Sequence, residues 1–508
     1  MKTNDPEPTG ARTPTSAVVG TLLSPMPGSR ADGAADTDAR PQKPGALGWP
    51  AALGWGALAV VSFHLAFLFP SLAFLIAVYL FAAFKLSEVA TPRRAMWAGV
   101  TVGMLCFGPQ LGFFHTIFGL SAVALWAVLA FWLGMYVMTQ HLVRIRLGSR
   151  NAALLAPILW IGFEFFRSEL YFLRFTWLSA GYAFAEGPNL SLIYWPGIYG
   201  VGFLLMAAAA WLSLQPRKVS LMSVIILLSL LGVLCNIPLL SPVAGLPDAK
   251  PLRVAAVQLE HKHDLEVLEA LKLLRSKHPE AEVLVMSELT FDGVITPRVA
   301  KWCAQEKIHL VAGGKDPVSA DGKVFYNTVF VVGPDGSVIH KQAKTIPIQL
   351  MADGLPAPHQ RLWDSPWGRV GFCICYDKSF TSVTDKLVRL GAQALIVPTA
   401  DEIEWGAYEH RLHARIAPVR AAEHRLPVLR VASSGISQLI ERDGCVTATA
   451  PYPGELALLG GTLRLGETGR IPPDRWLGRM CAWFSWVLLG WLAIVAFRKR
   501  KHSSPVSS

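Results

Sequence analysis

The chain has 508 residues, of which 52% are hydrophobic and only 16% charged, with a formal net charge of +11. So apolar a composition over this length does not suit a soluble globular protein and calls for membrane spans. The positive excess sits in short Lys/Arg clusters beside apolar runs, and no aromatic-basic stripe is present for stacking bases, which excludes a nucleic-acid partner.

Residues 1–47 are rich in Pro, Gly, Ala, Ser and Thr, lack a cleavable signal pattern and read as a disordered tail. Residues 48–245 form a membrane domain of about seven helices, near 50–68, 70–88, 95–114, 117–142, 151–168, 190–214 and 220–241. An eighth span occupies 476–498. Each approaches the ~20 apolar residues that cross a ~30 Å hydrocarbon core. Pro70 divides the first pair, because proline cannot donate within a helix. With this count, Arg93 and Arg94, Arg144, Arg146 and Arg150, Arg217 and Lys218, and the basic tail 499–508 all fall on one side. The positive-inside rule makes that side cytoplasmic and places 246–475 outside the cytoplasm.

Segment 252–460 has another character. Short β-rich runs recur at 253–258, 282–288, 308–314, 327–333, 369–375, 394–399 and 427–433, with helical patterns such as 264–277 and 383–392 between them. This is a mixed α/β domain. Seven cysteines show no CxxC pair and no Cys/His ligand spacing, so neither a disulfide framework nor a metal site is expected. In RVGFCIC, alternation puts Cys373 and Cys375 on one strand face, with Cys375 at the mouth before YDKS. Cys375 is the candidate nucleophile and Cys373 a packing residue; the competing reading makes both small buried hydrophobes.

ICYD after an apolar strand resembles the nucleophile segment of the nitrilase (carbon–nitrogen hydrolase) superfamily, which uses Glu, Lys and Cys in this chain order. VLVMSEL (283–289) resembles its first motif and ends in Glu288. DGSVIHKQAKTIP (335–347) resembles its second; the usual spacing from Gly336 lands on Lys344, with Lys341 as the alternative. The resemblance implies an αββα sandwich in which Glu288 is the base, Lys344 stabilises an oxyanion and Cys375 forms a thioester. The stretch 404–437 resembles the family's next segment, with Trp405, His410, Arg420, Glu423 and Ser434 at the matching places. Tyr376, Asp377, Trp405 and Ser434 are the implied substrate-binding residues. Arg420 and Glu423 read either as a structural pair or as a surface i,i+3 ion pair. No metal and no cofactor is implied.

The membrane half narrows the resemblance. ILWIGFEFFRSELYFLRFTWLSAGYAF (158–184) and IYGVGFLL (198–205) resemble the apolipoprotein N-acyltransferase family, with Thr176 in place of a proline. Its implied reaction moves an acyl chain from a phospholipid to the cysteine, then to the α-amino group of a diacylglyceryl-modified lipoprotein. The resemblance implies a monomeric, multi-pass protein of the bacterial plasma (inner) membrane, with its catalytic domain on the periplasmic side. Glu164 in span five reads either as a functional intramembrane carboxylate or as a partner for Arg167. Three departures stand out: Ser287 replaces a proline, Asp377 replaces a glutamate, and IPIQLMADGLP (346–356) replaces LVPFGE, leaving Gln349 or Asp353 for its glutamate. These leave the acceptor open. A membrane-tethered amidase or acyltransferase with another amine acceptor, and a non-enzymatic scaffold, are the alternatives.

Overall fold

The computed structural model describes residues 46–236, 249–260, 263–454 and 456–502. Almost all of the expected tail, the boundary expected at 245/246 and the last residues of the basic tail lie outside the described residues. The apolar region forms helices Trp49–Leu68, Ile76–Leu86, Pro92–Gln110, Ser121–Phe165, Gly197–Ser213 and Arg217–Asn236, joined by Asp474–His502 from the far end of the chain. Among the described residues, Trp49–Leu68, Ser121–Leu170 and Asp474–Arg498 are long and apolar enough to cross a membrane, and Pro70–Leu86 and Gly197–Ser213 are shorter apolar helices.

The longest of these is two helices. Gly148 takes φ 85°, a conformation that costs a residue without a Cβ little. Gln140 donates to the carbonyl of Ala152, and the Tyr136 ring lies 5.0 Å from Trp160. Twelve residues of continuous helix would span ~18 Å, so the chain reverses at Gly148, between the fourth and fifth expected spans. The sixth span is shorter than its apolar run: residues Gly187–Leu192 form a 3-10 turn and the helix begins only after Pro196. Small residues bring two helices into backbone contact, since a Cβ on Gly99 would lie 2.7 Å from Gly134 Cα and one on Gly103 2.6 Å from Ala130 Cα.

Helix ends sort into two groups. Glu88 pairs with Lys85 at 2.6 Å and Arg144 at 3.1 Å, gathering two basic clusters at one end of the bundle. At the other end Gln110 accepts from Tyr408, and Glu169 accepts from the backbone N–H of Thr381 at 3.1 Å, so that end carries the α/β domain.

That domain holds two six-stranded sheets. Its strands are β1 Lys250–Val257, β2 Val283–Val285, β3 His309–Pro317, β4 Phe325–Val332, β5 Val338–Ala343 and β6 Trp363–Ser365. They continue as β7 Gly368–Phe372, β8 Ala394–Thr399, β9 Val428–Ala432, β10 Ser437–Ile440, β11 Val446–Ala450 and β12 Leu458–Leu465. The sheet orders are β12-β1-β2-β3-β4-β5 and β11-β10-β9-β8-β7-β6. Side chains alternate as a two-residue period demands. Val254, Val283, Val311 and Val329 share a core with Phe372, Ile396 and Leu429 of the other sheet. Their neighbours Ala255, Leu284, Leu310 and Phe330 pack with Leu271 and Trp302 of the helices outside. The result is a sandwich of two sheets between helical layers. β12 lies past the last expected β-rich run, at 427–433, and pairs antiparallel with the first strand, Lys250 opposite Leu465.

Candidate active site

Glu288, Lys344, Cys375 and Ala400 each lie just past the carboxyl end of a strand: β2, β5, β7 and β8 respectively. The two sheets bring these ends together. Lys344 Nζ lies 2.8 Å from Glu288 Oε1 and 2.6 Å from Asp353 Oδ2. Asn327 Nδ2 donates to the same two carboxylates, at 2.6 Å and 2.7 Å. Ala400 joins carboxylate to thiol: its N–H donates to Glu288 Oε2 at 2.7 Å, and its carbonyl accepts from Cys375 Sγ at 3.8 Å. All these side chains are buried.

β7 ends at Phe372, so the alternation expected through Cys375 stops short. Cys375 opens a 3-10 turn with φ 50°, a left-handed conformation that costs a non-glycine residue and is held only where its surroundings impose it. That turn, and not the strand, aims the sulfur. Cys373 stays wholly buried in the core, where burial pushes its thiol up. Burial and the Glu288 carboxylate also hold the Cys375 thiol well above its ordinary value, against Lys344 and Lys378. Burial works against the Lys344 ammonium, but Glu288 and Asp353 outweigh it and hold it well above the usual lysine range. The alternative, Lys341, sits at the surface, 3.0 Å from Asp316.

Asp377 has an inward role. Its carboxylate accepts from the backbone N–H groups of Ile374 at 3.2 Å, Thr345 at 3.0 Å and Ile346 at 2.7 Å. It thereby ties the lysine loop to the cysteine turn. Burial pushes it up to about 7, with the backbone donors opposing. Asp353 meets the lysine, while Gln349 from the same segment faces a cavity.

That cavity opens over Cys375. The membrane region supplies Phe114, Phe118, Leu125, Leu129, Phe175 and Trp177; the α/β domain supplies Tyr376, Trp405, Glu409 and His413. Of the expected substrate-binding residues, Tyr376 and Trp405 are on its wall; Asp377 and Ser434 are not. Ser434 is buried and donates to Glu260. The membrane side also grips the nucleophile turn: Tyr376 donates to the Arg174 carbonyl at 2.8 Å, and Trp177 Nε1 to Ser379 Oγ at 3.0 Å. Glu164 and Arg167 hold that gripping loop by separate bonds. Glu164 accepts from Ala180 N–H at 3.0 Å, and Arg167 donates to the Phe175 carbonyl at 3.3 Å.

A second buried polar chain lies beside the sulfur. Lys378 Nζ donates to the Cys375 carbonyl at 3.1 Å and meets His413 Nε2. His413 Nδ1 lies 2.7 Å from Asp401 Oδ1, and Asp401 pairs with Arg430. Burial, reinforced by Arg430, lowers Lys378 to about 7; burial and Lys378 lower His413 to about 3. His410, the histidine expected from sequence, is buried 3.1 Å from Glu409. Ligand atoms of Cys375, Asp401 and His413, and of Asp401, Glu409 and His410, come within 4.8 Å of one another, but Arg430 and Lys378 already supply cations there. Sequence reasoning missed Asn327, Asp401 and His413; only the polar head of the apolar run NTVFVVG hinted at Asn327.

Comparison with known proteins agrees with both halves. Residues 55–211 match the model of the apolipoprotein N-acyltransferase N-terminal domain, and residues 253–472 match that of carbon-nitrogen hydrolase. The chain is similar to apolipoprotein N-acyltransferase of Geobacter metallireducens, 26% identical across 80% of this chain and 88% of that protein. It is likewise similar to apolipoprotein N-acyltransferase of Shewanella oneidensis, 24% identical across 82% and 89%. Among solved structures, Saccharomyces cerevisiae Nit3, of the nitrilase superfamily, matches 42% of this chain and 90% of its own at 21% identity, with a TM-score of 0.36. With one family model on the membrane half, another on the α/β half and relatives spanning both, the chain belongs to the apolipoprotein N-acyltransferase family.

Proposed function

We propose that this protein transfers an acyl chain from a phospholipid, through a thioester on Cys375, to the α-amino group of a diacylglyceryl-modified lipoprotein. The observation that carries this reading is Cys375 on the wall of a largely apolar cavity whose other side comes from the membrane region, with the buried Glu288–Lys344 pair reaching the sulfur through Ala400. A hydrolase of small amides needs no such wall; a fatty chain does.

In the first half-reaction, Glu288 takes the thiol proton as sulfur attacks the ester carbonyl. The resting thiol is protonated, so proton removal and attack belong together. Lys344, fixed by two carboxylates that Asn327 also holds, lies where negative charge grows on the carbonyl oxygen. Protonated Glu288 returns its proton to the leaving alkoxide, and a lysophospholipid departs. Arg174 is the one Lys or Arg on the cavity wall among the described residues, and its charge suits the donor's phosphate. In the second half-reaction the amine displaces the sulfur. Trp405 and Tyr376 line the cavity beside Cys375.

The basic helix ends lie away from the catalytic domain, which supports the inner-membrane reading with 246–475 on the periplasmic side. A monomer suffices, since every residue named comes from one chain. The test is purified protein in detergent with phospholipid and a diacylated lipopeptide. Lysophospholipid and triacylated peptide should appear together; released ammonia with no acylated peptide would favour an amidase.

A further inference from the structure

We infer that Glu409 is the binding and proton-accepting site for the acceptor's amino group, which rests on the acyltransfer reading above. The acceptor arrives as an ammonium, since an α-amino group titrates near ~8. It must be held by an anion and lose a proton before its nitrogen can attack. Glu288 is not free to bind the ammonium, because Lys344, Asn327 and the Ala400 N–H already occupy its carboxylate, although it can still relay a proton to the sulfur.

Glu409 lies on the helix Ala407–Ala414 and is on the wall of the cavity over Cys375. It is 1% exposed, and its Oε2 accepts no hydrogen bond, although His410 Nδ1 lies 3.1 Å away. The neighbouring carboxylate, Asp401, is matched by Arg430. No Lys or Arg pairs with Glu409 among the described residues; its close polar neighbours are the imidazoles of His410 and His413. His413 Nδ1 is 3.6 Å from Glu409 Oε1, and a His413 nitrogen is within 4.8 Å of Cys375 Sγ, so one imidazole ring separates this carboxylate from the reacting sulfur. A buried carboxylate with no Lys or Arg partner, sharing the His410 imidazolium with Asp401 and lining a largely apolar cavity at that distance, is complementary to an ammonium. Burial and Asp401 push Glu409 up to about 7, against His410 and Arg430, which suits a group that must take up and release a proton near neutrality.

The step balances. Of the three ammonium protons, one passes to Glu409 and then to water, and the freed lone pair attacks the thioester carbonyl. The C–S bond breaks as the amide forms. A second proton returns to the Cys375 sulfur by way of Glu288, and the third stays on the amide nitrogen.

The test separates the two half-reactions in Glu409→Gln, which keeps the shape and removes the charge. Lysophospholipid release in the first turnover should match the wild type. Transfer to the diacylated lipopeptide should fall by about 10²-fold. Glu409→Asp should recover part of it. Hydroxylamine, uncharged at neutral pH, should strip the acyl group from Glu409→Gln as fast as from the wild type. Lipopeptide transfer at the wild-type rate would overturn the assignment. So would loss of the first turnover, or equal loss of hydroxylamine and lipopeptide transfer, since both are marks of a structural role. A wild-type enzyme that forms thioester and never acylates the lipopeptide would defeat the acyltransfer reading itself.

Discussion

Two cysteines two positions apart share burial and differ in backbone. Cys373 continues the line of its strand into the core; Cys375 leaves it at φ 50° beneath the cavity. Cys375→Ser should therefore abolish hydroxylamine-sensitive labelling by a tagged acyl phospholipid, while Cys373→Ser keeps most of it. Label kept in Cys375→Ser and lost in Cys373→Ser would reverse the assignment. The lysines divide in the same way. Lys341 pairs with Asp316 at the surface, and exposed pairs contribute ~0–1 kcal/mol, so Lys341→Ala should fold and turn over like the wild type. Lys344 neutralises two buried carboxylates, and Lys344→Met should lose about 10²-fold or more in thioester formation. Single-turnover lysophospholipid release measures both. Spacing alone left 341 and 344 open. Strand pairing separates them: Lys341 lies opposite Phe330 inside the β4–β5 ladder, and Lys344 lies just past its last pair, Thr328 with Ala343.

At the scale of elements, the junction between the last membrane helix and the catalytic domain is ionic. Arg475 in the first turn of Asp474–His502 lies 2.7 Å from Glu423, 3.2 Å from Asp385 and 2.7 Å from Asp474. Glu423 also pairs with Arg420 and accepts from Ile198 N–H at 2.9 Å, and Arg420 donates to the carbonyls of Lys378 and Ser379, at 2.9 Å and 2.8 Å. Arg420 and Glu423 are thus buried, and the surface ion-pair reading of them does not hold. Removing one partner of a buried network strands the others, at a cost of about 3–5 kcal/mol. Arg475→Met should lower the thermal inactivation midpoint in detergent and expose the junction to protease. An unchanged midpoint would show that the network contributes little. Only the Arg420–Glu423 pair was legible in the sequence; the part of Arg475 was not, because its partners Glu423 and Asp385 are 52 and 90 residues away. The grouping of Glu288, Lys344 and Cys375 was legible, because Glu288 and Cys375 each close a β-rich run, Lys344 follows a strand led by a DG turn, and each has a chemically distinctive side chain. β12 was not, because Gly460 and Gly461 weaken its strand pattern. Gly148, by contrast, sits among arginines between apolar runs, so the turn it makes could be placed from sequence.

For the whole molecule, the open question is which way it faces. The catalytic domain must meet both lipid substrates at the surface they share, so its side of the membrane decides whether the proposed reaction can occur. A reporter is built in. Among the cysteines whose side chains are described, Cys445 is the exposed one, and it lies in the catalytic domain; Cys106, Cys303, Cys373, Cys375 and Cys481 are buried. A thiol must be reached and ionised to react, and exposure favours the first of these. A membrane-impermeant maleimide should therefore label intact spheroplasts at Cys445, and Cys445→Ser should remove that label without loss of acyl transfer. Labelling that appears only after lysis would put the domain in the cytosol. It would also place the arginines around 93 and 144–150 outside, against the charge asymmetry of the bundle. In that case the cavity would open toward the wrong leaflet for lipoproteins already exported, and the amine acceptor would have to be a cytosolic one.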